Sequence, residues 1–259
     1  MNDYISHLRA AGLTPATIKL RRYHIERLRQ DAGKPLERIT TADIERYISA
    51  QSWAPQTARS FITSCKKFFT WQEATGRGPN PAAVLGAPRT PRALPRPAHD
   101  AIIMQALRNA DPRAQLMIEL MAYGGLRRGE VATVRGEDVT PGRWLRVTGK
   151  GGHQRIVPIP GHLAARIEKA NGWLFPGKID GHLSARRVTE IVTALLPPGI
   201  TPHALRHRYA TAAYRGSRDI LAVRDLLGHA SVATTEVYTA VDASHLAAGA
   251  AAAWRLDAA

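Results

Sequence analysis

The stretch from Gly76 to Pro97, "GRGPNPAAVLGAPRTPRALPRP", limits what this 259-residue chain can fold into more than any other. Prolines recur through it. Proline lacks a backbone N–H and clashes with the preceding helical turn, so neither a helix nor a central strand can cross the segment. The chain is therefore expected to divide here into two domains, as its length also suggests. Arg89, Arg92 and Arg96 alternate with the prolines, and no acid intervenes. A semi-extended basic linker results, able to follow a phosphate backbone while joining two modules. The expected boundaries are a helical domain over 1–78, the linker over 79–97, a second domain over 98–242 and a tail helix over 243–259.

The first half reads as four helices. Residues 2–10 form a short one. "LTPATIKLRRYHIERLRQ" opens with Thr14 as cap and Pro15 in the first turn, and Ile18, Ile25 and Leu28 make its apolar stripe. "TTADIERYISA" is a third helix, expected to be capped by Thr41. "APQTARSFITSCKKFFTWQEATG" is a fourth, stopped at Gly76, with Ala58, Phe61, Ile62, Cys65, Phe68 and Phe69 on its core face. Arg59, Thr63, Lys66 and Thr70 fall on another face. That stripe reads equally as a solvated surface or as a contact for nucleic acid.

Beyond the linker the pattern is mixed. Residues 98–110 and 112–123 are helical and "RRGEVATV" is a short helix. "RWLRVTG" and "HQRIVPIP" are strands joined through Gly149, Lys150, Gly151 and Gly152. Helices follow over 161–170, 184–196, 202–215, 218–227 and 231–239. The fold class expected is mainly α, with a four-helix N-terminal domain and an α+β domain holding a small antiparallel sheet.

Thirty-six Lys and Arg against 21 Asp and Glu give a formal charge of +15. Such an excess favours polyanionic partners, with nucleic acid ahead of membrane surfaces. A single cysteine, Cys65, excludes an intrachain disulfide, fits a reducing cytoplasm, and reads as a small buried hydrophobe. No apolar run is long enough to span a bilayer, and the opening residues lack the pattern of a signal peptide. A cytoplasmic protein is expected.

Five stretches carry residues suited to chemistry. "GGLRRGE" holds Arg127, with Glu130 three residues on. "TGKGGHQR" puts Lys150 at the tip of a hairpin. "TPHALRHRYAT" places His203 and Arg206 one helical turn apart, on a shared face. "LLGHAS" holds His229 and "TTEVYT" holds Tyr238. Each has an ordinary structural reading on its own: a surface ion pair for Arg127 and Glu130, a tight turn around Lys150, a helix C-terminus near His229, a half-buried aromatic for Tyr238. The glycines around Lys150 are not a phosphate-binding P-loop, because no Lys-Ser or Lys-Thr closes them and they join two strands.

Taken together, the order Arg, Lys, His-x-x-Arg, Gly-His, Tyr resembles the tyrosine recombinase, or phage integrase, family. "GLRRGE" is similar to that family's first arginine box, "GKGGHQRIVPIP" to its lysine hairpin, and "HALRHRYAT" with "LGHASVATTEVYT" to its second box. The resemblance of the catalytic domain runs from about residue 98 to 242. The first half resembles the family's core-binding domain in length and pattern only. Gly124-Gly125 before Leu126, and Ala204 inside His-x-x-Arg, depart slightly from the family pattern without removing a catalytic group.

The resemblance implies a site-specific recombinase that cuts and rejoins duplex DNA through a covalent 3′-phosphotyrosine. Tyr238 would be the nucleophile and His203 the base. Arg127 and Arg206 would fork onto the nonbridging phosphate oxygens, His229 would donate to phosphate, and Lys150 would protonate the leaving 5′-oxygen. Glu130 would orient its neighbours. Arg59, Thr63, Lys66, Arg89, Arg92 and Arg96 would contact DNA. The resemblance further implies a homotetramer on two core-type DNA sites, a clamp of two domains around the duplex, and in some settings accessory DNA-bending factors. It implies no metal, no other cofactor and no ATP. The tail helix would either fold back on its own domain or dock in trans on a neighbouring protomer. Because the core-binding pattern begins almost at residue 1, a separate arm-type DNA-binding domain is not expected, as in Xer-like enzymes and minimal phage integrases.

Three alternatives remain at the level of sequence. A topoisomerase of type IB shares the chemistry without recombination. A noncatalytic DNA-binding protein explains the charge but not Lys150 and Tyr238. A metallohydrolase using His203 and His207, four residues apart, together with His229 lacks the glutamate of His-Glu-x-x-His.

Overall fold

A computed structural model describes residues 1–89, 97–149, 152–228 and 243–254. It divides into two compact units, Met1–Ala93 and Leu94–Ala259.

The first unit is built from α1 (Asn2–Ala10), α2 (Pro15–Ala32), α3 (Thr41–Ser49) and α4 (Pro55–Ala74). Thr14 caps α2 by accepting a bond from the Thr17 backbone N–H, with Pro15 in the first turn. The cap of α3 is Thr40, not Thr41. The reason is the position of the acid. Asp43 stands three residues after Thr40, so its carboxylate reaches back to the Thr40 N–H at 2.8 Å while the Thr40 hydroxyl accepts from Asp43 N. That reciprocal pairing satisfies two donors left over at the helix start. Ile18, Ile25 and Leu28 of α2 are buried against Phe61, Cys65 and Phe69 of α4. Burial pushes the Cys65 thiol up, far from the reactive range. A buried bond of 2.8 Å between His24 Nδ1 and Ser64 Oγ pins the same two helices together. Ala82 and Leu85, inside the proline-rich segment, also belong to this core. Their apolar side chains draw the start of that segment back onto the helices.

The second unit contains α5 (Asp100–Asn109), α6 (Pro112–Ala122) and α7 (Arg128–Ala132), then β1 (Val139–Thr140), β2 (Trp144–Thr148) and β3 (Gln154–Pro158). There follow α8 (Gly161–Glu168), β4 (Pro176–Ile179), α9 (Ala185–Thr193), α10 (Pro202–Ser217), α11 (Ile220–Leu227) and α12 (Ala243–Trp254). The expected strands are β2 and β3, paired antiparallel with Val147 opposite Arg155 and Leu145 opposite Val157. Sequence patterning missed β1, which extends the sheet to the order β1-β2-β3, and β4, which turns back to bridge His182. Both are too short to show alternation. The expected helix over 231–239 lies outside the described residues.

Helix α6 runs through the middle of this unit, with Met117, Ile118 and Leu120 wholly buried. Helix α10 packs against it, and α12 packs on α10. The tail helix thus folds back on its own unit. Ala250 and Ala253 are buried in the core, and the Trp254 indole N–H donates to the Tyr123 carbonyl at 3.1 Å. Arg208, itself buried, forks onto Asp100 at the start of α5 and also donates to the Ala253 carbonyl. Alanine allows this close approach because its side chain is a single methyl, and it has no rotamer entropy to lose on burial. No helix among the described residues is long and apolar enough to cross a membrane.

Removing residues 243–259 is expected to expose the α10 face, and a unit of this size then loses at least about 5 °C in melting temperature. A thermal melt of the truncated chain checks this; an unchanged midpoint would mean that α12 adds nothing to the core.

Candidate active site

The candidate site grows from the turn between α6 and α7. Tyr123, Gly124 and Gly125 reverse the chain so that Arg127 becomes the N-cap of α7. Gly125 has a φ of +64°. A Cβ there would run into the Tyr209 ring of α10, so the double glycine is a steric requirement of this crossing. Glu130, at the third position of α7, closes the cap. It accepts from the Arg127 backbone N–H at 2.7 Å and from Arg127 Nη1 at 2.8 Å.

The Glu130 carboxylate is only 5% exposed and serves a second arginine. Arg155 of β3 donates from Nη1 to Oε1 at 2.9 Å and from Nη2 to Oε2 at 2.8 Å. Each carboxylate oxygen therefore accepts two N–H bonds, which fills the lone-pair directions of an ionised carboxylate. Burial alone would raise the Glu130 pKa. The Arg155 hydrogen bonds and charge, followed by the Arg127 bonds, outweigh it and bring the value down to about 2.

Arg206 comes from α10, one turn after His203, and is almost fully buried. Its Nη1 lies 3.7 Å from Glu130 Oε2 and donates to the Gly125 carbonyl, while Nη2 donates to the Leu227 carbonyl at 2.6 Å. Burial first, then the neighbouring charges of Arg127 and Arg155, pull its pKa down to about 9, which still leaves it charged at neutral pH. The three arginines also share the end of α11. Arg155 Nε donates to Leu226 O at 2.9 Å, Arg206 to Leu227 O, and Arg127 Nη2 to Gly228 O at 3.4 Å. These are carbonyls that a helix terminus leaves without intrahelical partners, at the negative end of its dipole. Gly228, in the left-handed conformation at φ +60°, ends the helix there.

His203 stands in the first turn of α10, exposed at the rim. A cavity of about 440 Å³ is lined by Arg127, His203 and Arg206, together with Arg128 and Thr189. Partial desolvation, then the charges of His207, Arg206 and Arg127, lower the His203 pKa, so its neutral form dominates at pH 7. A second cavity of about 700 Å³ opens on the other side of Arg127 and reaches Gly149 at the end of β2. There Gly149 N donates to His153 O at 2.8 Å and closes the base of the hairpin.

The structure thus brings Arg127, Glu130, His203 and Arg206 together. Lys150, His229 and Tyr238 lie outside the described residues, as do Arg92 and Arg96. Of the residues expected to contact DNA, Arg59 donates to the Pro88 carbonyl at 2.7 Å, Thr63 back-bonds to Arg59 O, Lys66 is half-buried and Arg89 is exposed. His203 and His207 stack edge to face at 4.4 Å. Among the described residues no group of three His, Cys, Asp or Glu converges in a way that would hold a metal ion. Arg155 was not singled out from sequence. The available signal was its register: it shares the inward face of β3 with buried Val157, where an arginine needs a partner.

The phage integrase family model matches residues 100–245. The tyrosine recombinase XerC of Xanthomonas axonopodis pv. citri is 31% identical over 243 residues, covering 84% of this chain and 80% of that protein. XerC of Chromobacterium violaceum is 32% identical over 270 residues, covering 94% and 90%. Among solved structures, the integrase from mycobacterium phage Brujita aligns with a TM-score of 0.55 at 26% identity, covering 100% of this chain and 94% of that one. A lambda integrase (75–356) dimer bound to a COC′ core site aligns with a TM-score of 0.70 at 19% identity, covering 92% and 97%, a likeness of fold.

Substituting Gly125→Ala combines left-handed strain with overlap on Tyr209 and is expected to cost about 2–4 kcal/mol of stability. Chemical denaturation measures it, and a loss below about 1 kcal/mol would show that the turn relaxes without disturbing Tyr209.

Proposed function

The chain belongs to the phage integrase family, the tyrosine recombinases, and from that membership we propose how its residues divide the work of site-specific DNA recombination. The observation that supports the division best is the cavity in which Arg127, His203 and Arg206 meet. The two guanidiniums there carry donors of the kind suited to the nonbridging oxygens of a phosphodiester, and both are charged at neutral pH. As the phosphorus becomes five-coordinate, negative charge gathers on those oxygens, and fixed donors stabilise it without having to reorganise.

The nucleophile is proposed to be Tyr238. Its attack forms a 3′-phosphotyrosine and releases a 5′-hydroxyl strand end; the reverse attack rejoins DNA without ATP. An ordinary tyrosine, with a pKa of about 10, is scarcely ionised at neutral pH, so a base is needed. His203 fits, because the lowered pKa keeps its imidazole neutral and able to accept a proton. Lys150 is proposed to protonate the departing 5′-oxygen and His229 to donate to the phosphate. Glu130 orients Arg127 and does not react. Charge at the phosphate comes from side chains, so no metal enters the proposed reaction.

The first unit is proposed as the core-binding domain, with Arg59, Thr63, Lys66, Arg89, Arg92 and Arg96 following the DNA backbone. Arg59 would have to leave the Pro88 carbonyl or contact DNA through its remaining donors. The partner is duplex DNA carrying core-type sites, and the working assembly is a homotetramer, aided in some settings by DNA-bending factors. The tail helix, packed in cis in a single protomer, is proposed to exchange between neighbours within that assembly. The protein is proposed to work in the cytoplasm.

The Tyr238→Phe variant is expected to bind DNA as the parent does and to form no covalent adduct. Incubation with a nicked site followed by denaturing electrophoresis tests this, and an adduct in the variant would exclude Tyr238 as nucleophile. The pH dependence gives a second test. A base acts when neutral, so cleavage falls as pH drops through the His203 pKa. Since that pKa is lowered from 6.5, the acid midpoint of single-turnover cleavage is expected below pH 6.5. A midpoint above that value would point to another base.

A further inference from the structure

Glu130 presents a problem for any anion-binding role of this site. A buried carboxylate beside Arg127 and Arg206 repels the phosphate those arginines are meant to hold. If it paired with Arg127 alone, that pair would be neutral. The structure resolves the conflict with Arg155, whose guanidinium covers both carboxylate oxygens from the far side. Side-chain exposure is 9% for Arg155 and 4% for Glu130, whereas Arg127 is 40% exposed and faces the cavity.

We infer that Arg155 is a positioning residue for the phosphate site: it neutralises Glu130 and so leaves the Arg127 guanidinium available to the scissile phosphate. The inference rests on the recombinase reading for its ligand. Three guanidiniums against one carboxylate leave two positive charges in the cluster. Arg155 is the one turned away from the cavity, so the surplus falls on Arg127 and Arg206, the two that line it. The bond lengths agree. Arg155 holds Glu130 at 2.8–2.9 Å, while among the described residues Arg127 Nη2 is held only by a 3.4 Å bond to Gly228 O. Nη2 of Arg127 is the donor most cheaply handed to an incoming oxygen. Arg155 also donates to Leu226 O, so the strand that follows the Lys150 hairpin is tied to the end of α11, one turn before His229 in the chain. Lysine would not replace it, since a single ammonium cannot cover both oxygens and reach Leu226 as well.

A residue that merely braces the fold predicts a different double mutant from one that neutralises Glu130. Arg155→Met is expected to slow covalent adduct formation on a nicked duplex, selected beforehand by covalent trapping, by about 100-fold, the scale of losing one donor at a developing oxyanion. Arg155→Lys should fall between this variant and the parent. Adding Glu130→Gln to Arg155→Met removes the charge that Arg155 offsets and should bring the rate back to within about tenfold of the parent. A parallel readout needs no cleavage: the rise in melting temperature given by inorganic phosphate over chloride at matched ionic strength. It should vanish in Arg155→Met and return in the double variant. The inference is overturned if Arg155→Met cleaves within about threefold of the parent, or if the folded double variant is no better than Arg155→Met in either readout. Should Arg155→Met give no cooperative melt, Arg155→Lys and the double variant decide the matter on the same criteria. Absence of any adduct with the parent, alongside the expected phosphate shifts, would overturn the recombinase reading and leave the role of Arg155 standing.

Discussion

The second unit is organised around one buried carboxylate. Glu130 is a charge out of water, and such a charge persists only when it is paired and fully hydrogen-bonded. Four N–H bonds meet that demand here, and they come from three places: the α7 backbone, the Arg127 side chain and Arg155 on β3. Satisfying Glu130 therefore requires the α6–α7 turn and the sheet to meet at one point. Arg206 enters the same field from α10 at 3.7 Å, close enough for attraction but bonded elsewhere. Removing one member of such a set leaves the others as uncompensated buried charges, so the cluster is held by the cost of its alternatives more than by its own net attraction.

The arginines do more than balance Glu130. They accept the geometry of α11 by binding its last carbonyls, at Leu226, Leu227 and Gly228. The residues that would grip a phosphate thus also hold the chain immediately before His229. The double glycine before Leu126 belongs to this arrangement as well. It departs from the expected motif, yet it lets the α6–α7 turn cross Tyr209 and present the Gly125 carbonyl to Arg206.

In this chain the tail takes the first of its two expected courses and folds back on its own unit. Small residues at helical spacing fit any close-packed surface. In a lone chain the nearest such surface is α10, where Arg208 donates to the Ala253 carbonyl, while Trp254 donates to the Tyr123 carbonyl at the end of α6. The contact sets alanines against a helix, with Ala250 and Ala253 buried in the core.

Much of this protein was written in its sequence. Periodicity gave most of the described helices, because an amphipathic stripe needs only local spacing to be read, and the order of Arg, Lys, His-x-x-Arg, Gly-His and Tyr pointed to the family. The expectation of two domains came from proline geometry together with chain length. Other features were invisible there. Thr40 rather than Thr41 caps α3 because of where the Asp43 carboxylate can reach. Strands β1 and β4 exist only because neighbours pair with them. Above all, Arg155 looked like one charge among many until β3 placed it 25 residues along the chain from Glu130 yet within hydrogen-bond reach. Local spacing sets which residues share a face of one element. Only tertiary packing brings a carboxylate and three arginines from α7, β3 and α10 to a single point, and that convergence sets the charge of the cluster.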